Sequence, residues 1–466
     1  MQTISKFEIS NLFGTKNISL SISDNAIILV GPNGIGKSSV ANMFYFFISR
    51  QWSRLLDYSF SELSIQIDNQ TIVARREDIT GVDEVNKQLG GIPPDTRPGR
   101  HLAKLVDLGE LQTFLAADQM SVAARRRYAQ LLETSGEDVL SLQRFLQRRL
   151  DGGDLFRKSV RELETTLSKV LASRILYLPT YRRIEKELKD IFPDIEERYR
   201  SFTRTDVTFR SGRSAAHYVE LVSFGMEDVK TRLNEKMQQL RDYSLSQHNN
   251  LSALYLRDVI HGRADKYESA EINALTDENI TAILDRVSEA ALSKEDKDLL
   301  RKKVKSIQGK TKTNIETNER FLAHYFSRLV SVNVDITKRE RDVKSFVDVC
   351  NQYLSPAKRM VYDEAIFSVA IHDEHGTQLD LSVLSSGEKQ VIAIFAHLYL
   401  DDANDQIVVI DEPELSLSVP WQKRFLTDIQ DSGKCGFILA VTHSPFIYEN
   451  RLRSRSTDLR RMIAKQ

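Results

Sequence analysis

Cysteine is scarce. The 466 residues hold two, Cys350 and Cys435, too far apart in sequence for a metal-knuckle spacing. Both are expected as buried thiols in a reducing compartment. Long apolar runs are lacking too: no stretch approaches the roughly 18 residues needed to span a bilayer, so no membrane is expected among the partners. The N-terminus, Met1-Gln2-Thr3-Ile4-Ser5-Lys6-Phe7-Glu8, places charge where a secretory signal needs a greasy segment, which makes a cytoplasmic location the expectation. Net charge is also absent, with 65 basic side chains against 65 acidic ones, and the balance names no partner. What is there is 41% hydrophobic and 28% charged residues, which excludes a disordered chain and leaves length for two or three domains. Basic clusters stand at Arg125-Arg126-Arg127, at Arg148-Arg149, at Arg301-Lys302-Lys303 with Lys305, and in the tail from Arg451 to Lys465. Each is compatible with DNA or RNA contact, and equally with a solvated helix face.

The most informative stretch is Ala26-Ile27-Ile28-Leu29-Val30, a buried-strand pattern, followed by Gly31-Pro32-Asn33-Gly34-Ile35-Gly36-Lys37-Ser38. This is G-x-x-x-x-G-K-S, a phosphate-binding loop. Gly31, Gly34 and Gly36 let backbone N–H groups curl around an anion with no Cβ in the way, and the helix that follows aims its positive end at the same phosphates. Lys37 adds a point charge for the β- and γ-phosphates, and the Ser38 hydroxyl suits Mg²⁺. Ser39 opens a helix-compatible run to Phe47, so residues 31–39 form the candidate nucleotide cradle.

Around it, Ile4, Phe7 and Ile9, then Ile18, Leu20 and Ile22, alternate as antiparallel strands with one wet face, whereas Ile27 to Val30 reads as a central strand. Leu63, Ile65 and Ile67 alternate again, Asp68-Asn69 turns, and Thr71 to Ala74 returns as a hairpin partner, which predicts strands of both directions. Three glycines and three prolines in the eleven positions from Leu89 to Gly99 predict a loop. Apolar residues three and four apart from Val122 to Val170 predict helix, broken at Gly152-Gly153, before a strand at Arg174 to Leu178. From Phe224 to about Leu354 the spacing of Val229, Leu233, Met237 and Leu240 predicts a helical arm, or a short coiled-coil hairpin. Strand character returns at Ala365 to Ile371. It is followed by Leu384-Ser385-Ser386-Gly387-Glu388-Lys389-Gln390, a buried helix from Val391 to Tyr399 and a strand from Gln406 to Ile410. A helix from Trp421 to Ile429 and a strand from Gly436 to Val441 complete the pattern. The divisions expected are 1–120, 121–173, 174–226, 227–360 and 361–466.

Several strand ends carry polar chemistry, where open α/β sheets bind ligands. Asp411 follows four apolar β-branched residues and suits Mg²⁺; Glu412 beside it can polarise a water; His443, in Thr442-His443-Ser444-Pro445, can sense a γ-phosphate. With the phosphate loop and Leu384 to Gln390, in this order, these residues resemble the ABC-type ATPases of the SMC, RecF and OLD-like branch.

The resemblance implies an α/β ATPase head, a mixed sheet with flanking helices, interrupted by the helical insert. It implies ATP and Mg²⁺ as cofactors, with Lys37, Glu412 and His443 catalytic and Ser38 and Asp411 on the metal. It also implies that Ser385, Ser386, Gly387 and Glu388 open a helix that covers the γ-phosphate bound by a second copy, so that two heads trap ATP between them. The family's metal-side glutamine has no counterpart in Leu178-Pro179-Thr180-Tyr181-Arg182, a departure that implies slow hydrolysis. A fused nuclease would need a further domain, and only Ser444 to Gln466 follow His443, so none is expected in this chain. The layout looks like ATPase subunits of bacterial anti-phage systems, the PARIS AriA type and the Septu or retron-linked PtuA type. These are multimers that recognise a phage trigger and hold a separately encoded nuclease effector. A RecF- or SMC-like DNA-clamping repair ATPase is the second expectation, and an ABC transporter subunit ranks below both.

Overall fold

The structure is a computed structural model that describes residues 2–80, 92–93, 96–107, 114, 122–149, 158–171, 173–179, 218–220, 226–264, 275–286, 292–308 and 316–464. Two compact units divide the chain: Met1–Phe224 with Ala403–Gln466, and Gly225–Asp402.

In the first unit β1 (Ile4–Leu12) and β2 (Lys16–Ser21) pair as the alternation predicts, followed by β3 (Ala26–Val30) and α1 (Lys37–Ile48). β4 (Glu62–Ile67) and β5 (Gln70–Arg75) form the expected hairpin. Leu20, Phe7, Ile65 and Ile72 stand opposite one another across β2, β1, β4 and β5, one apolar rung on the covered face. Residues 89–91, 94 and 95 of the expected loop lie outside the described residues, but a helix, α2 (Arg97–Asp107), begins inside it. Pro98 is tolerated there because a first-turn N–H has no intrahelical acceptor to lose. α3 (Val122–Leu131), α4 (Gly136–Arg149) and α5 (Lys158–Val170) match the helical pattern, with Gly152-Gly153 outside the described residues. β6 (Ile175–Leu178) and β7 (Tyr218–Glu220) follow, and Thr180 to Glu185 also lie outside.

The second unit opens with α6 (Met226–Ile260), whose Val229, Leu233, Met237 and Leu240 are buried as their spacing predicts. α7 (Asp277–Asp285) and α8 (Lys294–Ile307) pack on α9 (Thr317–Leu354) through Ile280, Ile283, Val304, Ile307 and Phe326. Along α9 the buried residues Ile336, Glu340, Val343, Val347, Cys350 and Leu354 recur three and four apart. Glu340 is a charge in this seam. It is held by the Arg286 guanidinium at 2.8 Å and the Tyr362 hydroxyl at 2.9 Å, since a buried carboxylate without partners would be strongly destabilising.

β8 (Lys358–Asp363) and β9 (Ser368–Asp373) correct the strand expected at Ala365 to Ile371: the stretch before Ser368 is a turn, and a strand precedes it. The Asp363 carboxylate accepts the Ala365 and Ile366 N–H groups, and Phe367 sits at φ 50°, which folds the chain back on itself. β10 (Gln378–Leu379) completes a three-stranded sheet, and α10 (Ser386–Tyr399) follows.

The chain re-enters the first unit with β11 (Gln406–Asp411), α11 (Val419–Asp431), β12 (Cys435–Val441), β13 (Ser456–Asp458) and β14 (Ile463–Ala464). The expected mixture of strand directions is sorted into two sheets. One is antiparallel, in the order β14-β2-β1-β4-β5; the other is parallel, in the order β13-β3-β12-β11-β6-β7. α1 is apolar on most of its circumference because it lies against both: Phe44 meets Phe7 of β1 edge-on at 5.2 Å and stacks on Phe437 of β12 at 5.4 Å.

The tail, expected only as a basic cluster, supplies β13 to the parallel sheet and β14 to the antiparallel one. Three of its five arginines form ion pairs: Arg451 with Asp431, Arg455 with Asp24 and Arg460 with Asp458. Cys350 and Cys435 are buried free thiols as expected, and burial pushes Cys435 up to about 12. Among the described residues no helix is long and apolar enough to cross a membrane.

Candidate functional site

β3 is buried from Ala26 to Leu29 and ends where the phosphate loop begins. Gly31 has φ 143° and Gly36 φ 107°, a region that side chains rarely adopt. A Cβ on Gly31 would also approach the Asp458 carboxylate of β13 to 3.2 Å. Gly36 caps α1, whose first turn carries neither an acidic residue nor a capping side chain, so its N–H groups are left for an anion. Lys37 is 4% exposed, and its ammonium donates to the carbonyls of Gly31 at 2.8 Å and Pro32 at 3.0 Å. Burial pushes that ammonium down from its ordinary value, against the pull of Asp411, Glu412, Glu414 and Asp458. Lys37 is thus a desolvated cation ringed by carboxylates, ready to exchange two carbonyl acceptors for phosphate oxygens. Pro32, Asn33 and Gly34 are exposed on the loop, Ile35 and Ser39 half-buried. Lys16 steadies the loop by donating to the Ile35 carbonyl at 3.3 Å.

The two residues expected on the metal meet: the Ser38 hydroxyl donates to the Asp411 carboxylate at 3.2 Å, across 373 positions of sequence. Asp411 closes β11 and is 2% exposed. Among the described residues no cluster of three or more His, Cys, Asp or Glu side chains forms a metal cage. A hydroxyl beside a carboxylate is nevertheless the oxygen donor set that suits Mg²⁺, which keeps waters and phosphate oxygens as its remaining ligands. Glu412 sits at φ 51°, an unusual conformation for a non-glycine residue, while its N–H continues the ladder to the Val441 carbonyl at 2.8 Å. The strand therefore ends in a sharp turn that carries the carboxyl group out of the sheet.

His443 is exposed at the end of β12, the strand between β3 and β11. Its backbone is held by a residue to which sequence reasoning assigned no role. The Glu414 carboxylate accepts the Thr442 hydroxyl at 2.8 Å, the His443 N–H at 2.7 Å and the Ser444 N–H at 3.1 Å. Ser444 in turn donates to Gln422 of α11 at 2.6 Å. Asp458, at the end of β13 on the other flank of β3, was likewise missed. The only sequence signal for Glu414 was its place in Asp411-Glu412-Pro413-Glu414. For Asp458 there was none.

The remaining expected residues belong to the second unit. Ser385 caps α10: its hydroxyl accepts the Glu388 N–H at 3.3 Å and its own N–H donates to the Glu388 carboxylate at 2.7 Å, a reciprocal cap. Ser385 and Ser386 are exposed and Gly387 is buried. Glu388, expected to bind nucleotide, has its carboxylate committed to this cap and to Lys358, whose ammonium lies 2.8 Å from both of its oxygens. It therefore builds the helix start rather than offering a free ligand.

Burial alone would raise the Glu388 carboxyl, but Lys358 and the Ser385 N–H outweigh it and hold the group below its ordinary value. A lowered folded value means that this contribution to stability is present above the unfolded carboxyl's pKa of about 4.3 and is lost as pH falls through the folded value. Lys358→Met, which strands the charge, is expected to destabilise by about 2 kcal/mol at pH 7. The gap in melting temperature to the parent protein should then narrow as the pH falls below the unfolded carboxyl's range. A gap that does not change with pH would mean that the pair contributes nothing.

Comparison with known proteins bears on these motifs. The family model described as an AAA ATPase domain matches residues 3–90, which contain the phosphate loop. The model described as an AAA domain, putative AbiEii toxin of a type IV toxin–antitoxin system, matches residues 223–449, which contain Ser385, Asp411, Glu412 and His443. No curated protein matches. Among solved structures, an Smc head bound to the C-winged-helix domain of ScpA is 12% identical with a TM-score of 0.32, covering 95% of this chain and 90% of that one. An Smc head with an extended coiled coil bound to the C-terminal domain of ScpA, derived from Pyrococcus furiosus, is 14% identical over 96% and 91% with a TM-score of 0.32. An Smc head with a coiled coil and joint, derived from Pyrococcus yayanosii, is 15% identical over 96% and 93% with a TM-score of 0.30. Likeness that faint lends no weight to the reading of the site. The weight rests on the loop geometry and the two ATPase-domain matches, which support ATPase activity for this chain.

Proposed function

We propose that this ATPase is the sensor and scaffold subunit of a bacterial anti-phage complex, which binds and hydrolyses Mg·ATP at the seam of two copies and holds a separately encoded nuclease until a phage trigger arrives. The observation that carries the ATP chemistry is the meeting of Lys37, Ser38, Asp411, Glu412 and His443 at the carboxyl ends of β3, β11 and β12.

Lys37 neutralises charge on the β- and γ-phosphates, and the α1 N–H groups cradle them. Mg²⁺, held by Ser38 and Asp411, would neutralise charge developing on the phosphate oxygens. Glu412 orients a water whose oxygen bonds to the γ-phosphorus as the bond to the bridging oxygen breaks, giving ADP and phosphate. His443 donates a hydrogen bond toward the γ-phosphate. The start of α10, capped by Ser385 and bearing the small Ser386 and Gly387, offers N–H groups suited to ATP held by another copy. The matched model's description, a putative toxin of a toxin–antitoxin system, is in keeping with a role in a paired system.

The second reading, a DNA-clamping repair ATPase, draws on the basic clusters, although in the tail Arg451, Arg455 and Arg460 are paired with Asp431, Asp24 and Asp458. One pair of measurements separates the two. Pull-down from native cells is expected to recover a nuclease, with weak binding to duplex DNA. Absence of a nuclease, together with DNA affinity that falls steeply with salt at a slope of about −0.9 per phosphate contacted, would favour the clamp.

A further inference from the structure

Glu414 stands three positions beyond Asp411, and its carboxylate meets a residue with a role in hydrolysis, His443, through the backbone N–H. The hydrogen-bond donors to its carboxylate lie on the neighbouring strand end. One oxygen accepts two consecutive backbone N–H groups, those of His443 and Ser444, and the other accepts the buried Thr442 hydroxyl. Thr442 is itself an acceptor for the Ser444 N–H at 3.0 Å. Two successive N–H groups converging on one oxygen define the local backbone direction far more tightly than a single bond does. Hydrogen bonds to an ionised acceptor are also the strong kind. The Cα of His443 is therefore fixed to the loop that carries Asp411 and Glu412, and through Ser444 and Gln422 to α11.

We infer that Glu414 is a positioning residue, whose carboxylate clamps the backbone of Thr442 to Ser444 and so holds His443 in register with Glu412. The inference rests on the hydrolytic reading given above and adds to it the group that keeps its two strand ends aligned. If Glu414 acts by geometry, its charge matters less than its acceptors. In Glu414→Gln the amide oxygen can still accept both N–H groups while the amide nitrogen donates to Thr442, whose own proton can turn to the Ser444 carbonyl, already 3.4 Å away. Glu414→Ala offers neither.

The test compares the full-length protein with Glu414→Ala, Glu414→Gln and Thr442→Val in two assays. Amide hydrogen exchange over residues 442–445, without nucleotide, is expected to quicken about tenfold or more in Glu414→Ala and to stay near the parent rate in Glu414→Gln. ATP turnover by Glu414→Ala is expected to lose about 10²-fold in kcat, with KM within about threefold, and Glu414→Gln to recover most of the loss. Should Glu414→Ala fail to fold, Thr442→Val removes one of the three bonds at nearly constant volume and is expected to quicken the same amides. Unchanged exchange, unchanged kcat, or Glu414→Gln falling as far as Glu414→Ala would each overturn the inference, the last by showing that charge and not position is the cause. If the parent protein turns over no ATP, the hydrolytic reading falls, while the exchange comparison still decides whether the clamp exists.

Discussion

Lys37→Ala is expected to weaken ATP binding by about 10²-fold or more and to abolish turnover. The ammonium is nearly buried, desolvated and surrounded by Asp411, Glu412, Glu414 and Asp458, so it contributes positive charge that offsets part of theirs. Removing it leaves the Gly31 and Pro32 carbonyls without their donor and four carboxylates facing a triphosphate. A factor of 10² is about 2.7 kcal/mol, within reach of a single strong ionic contact at a low-dielectric site. Calorimetric titration with ATP and a phosphate-release assay measure the two effects. Turnover at the parent rate in this variant would remove the phosphate-loop assignment altogether. The fold is expected to survive, because α1 is anchored by Phe44 and its aromatic neighbours rather than by Lys37.

Glu412→Gln is expected to lower turnover by about 10²-fold or more while leaving ATP bound. The two residues have nearly the same shape, the left-handed backbone at 412 is held by its N–H on Val441, and the Ser38–Asp411 contact is untouched. Only the group that accepts from the attacking water is lost. If ATP binds at the seam of two copies, the variant should accumulate as an ATP-dependent dimer or larger assembly, visible as a faster-sedimenting species that reverts when nucleotide is removed. Trapped ATP with no change in sedimentation would separate the chemistry from the seam: the site would stand and the two-copy arrangement would fall.

Legibility followed the range of the interaction. The alternation of Phe7 and Ile9, and of Leu63 and Ile65, announces strands because a half-covered pleat demands it, and β1 and β4 lie where it points. Ala365 to Phe367 looks equally strand-like, yet Asp363 captures two of its N–H groups and bends it into a turn. A side chain competing for the backbone is invisible to hydropathy. Similarly, the Ser456-Thr457-Asp458 strand has no periodicity to read, because three residues cannot show one. Its partner, β3, already satisfies it from more than four hundred positions away.

What the sequence determined by itself is the chemistry that is local: a loop whose glycines must take left-handed conformations, a lysine and a serine at a helix start, and a buried strand ending in two acids. These depend on a few adjacent residues and on the menu of backbone angles, so they can be read in order. What only the tertiary structure decided is which of those groups meet and which distant residues hold them. Ser38 was brought to Asp411, Asp458 to the flank of Gly31, Glu414 to the backbone of His443 and Glu388 to Lys358. Hydrogen bonds and ion pairs act over about 3 Å, and only the packing of α1 against both sheets and the order of the parallel strands set distances on that scale.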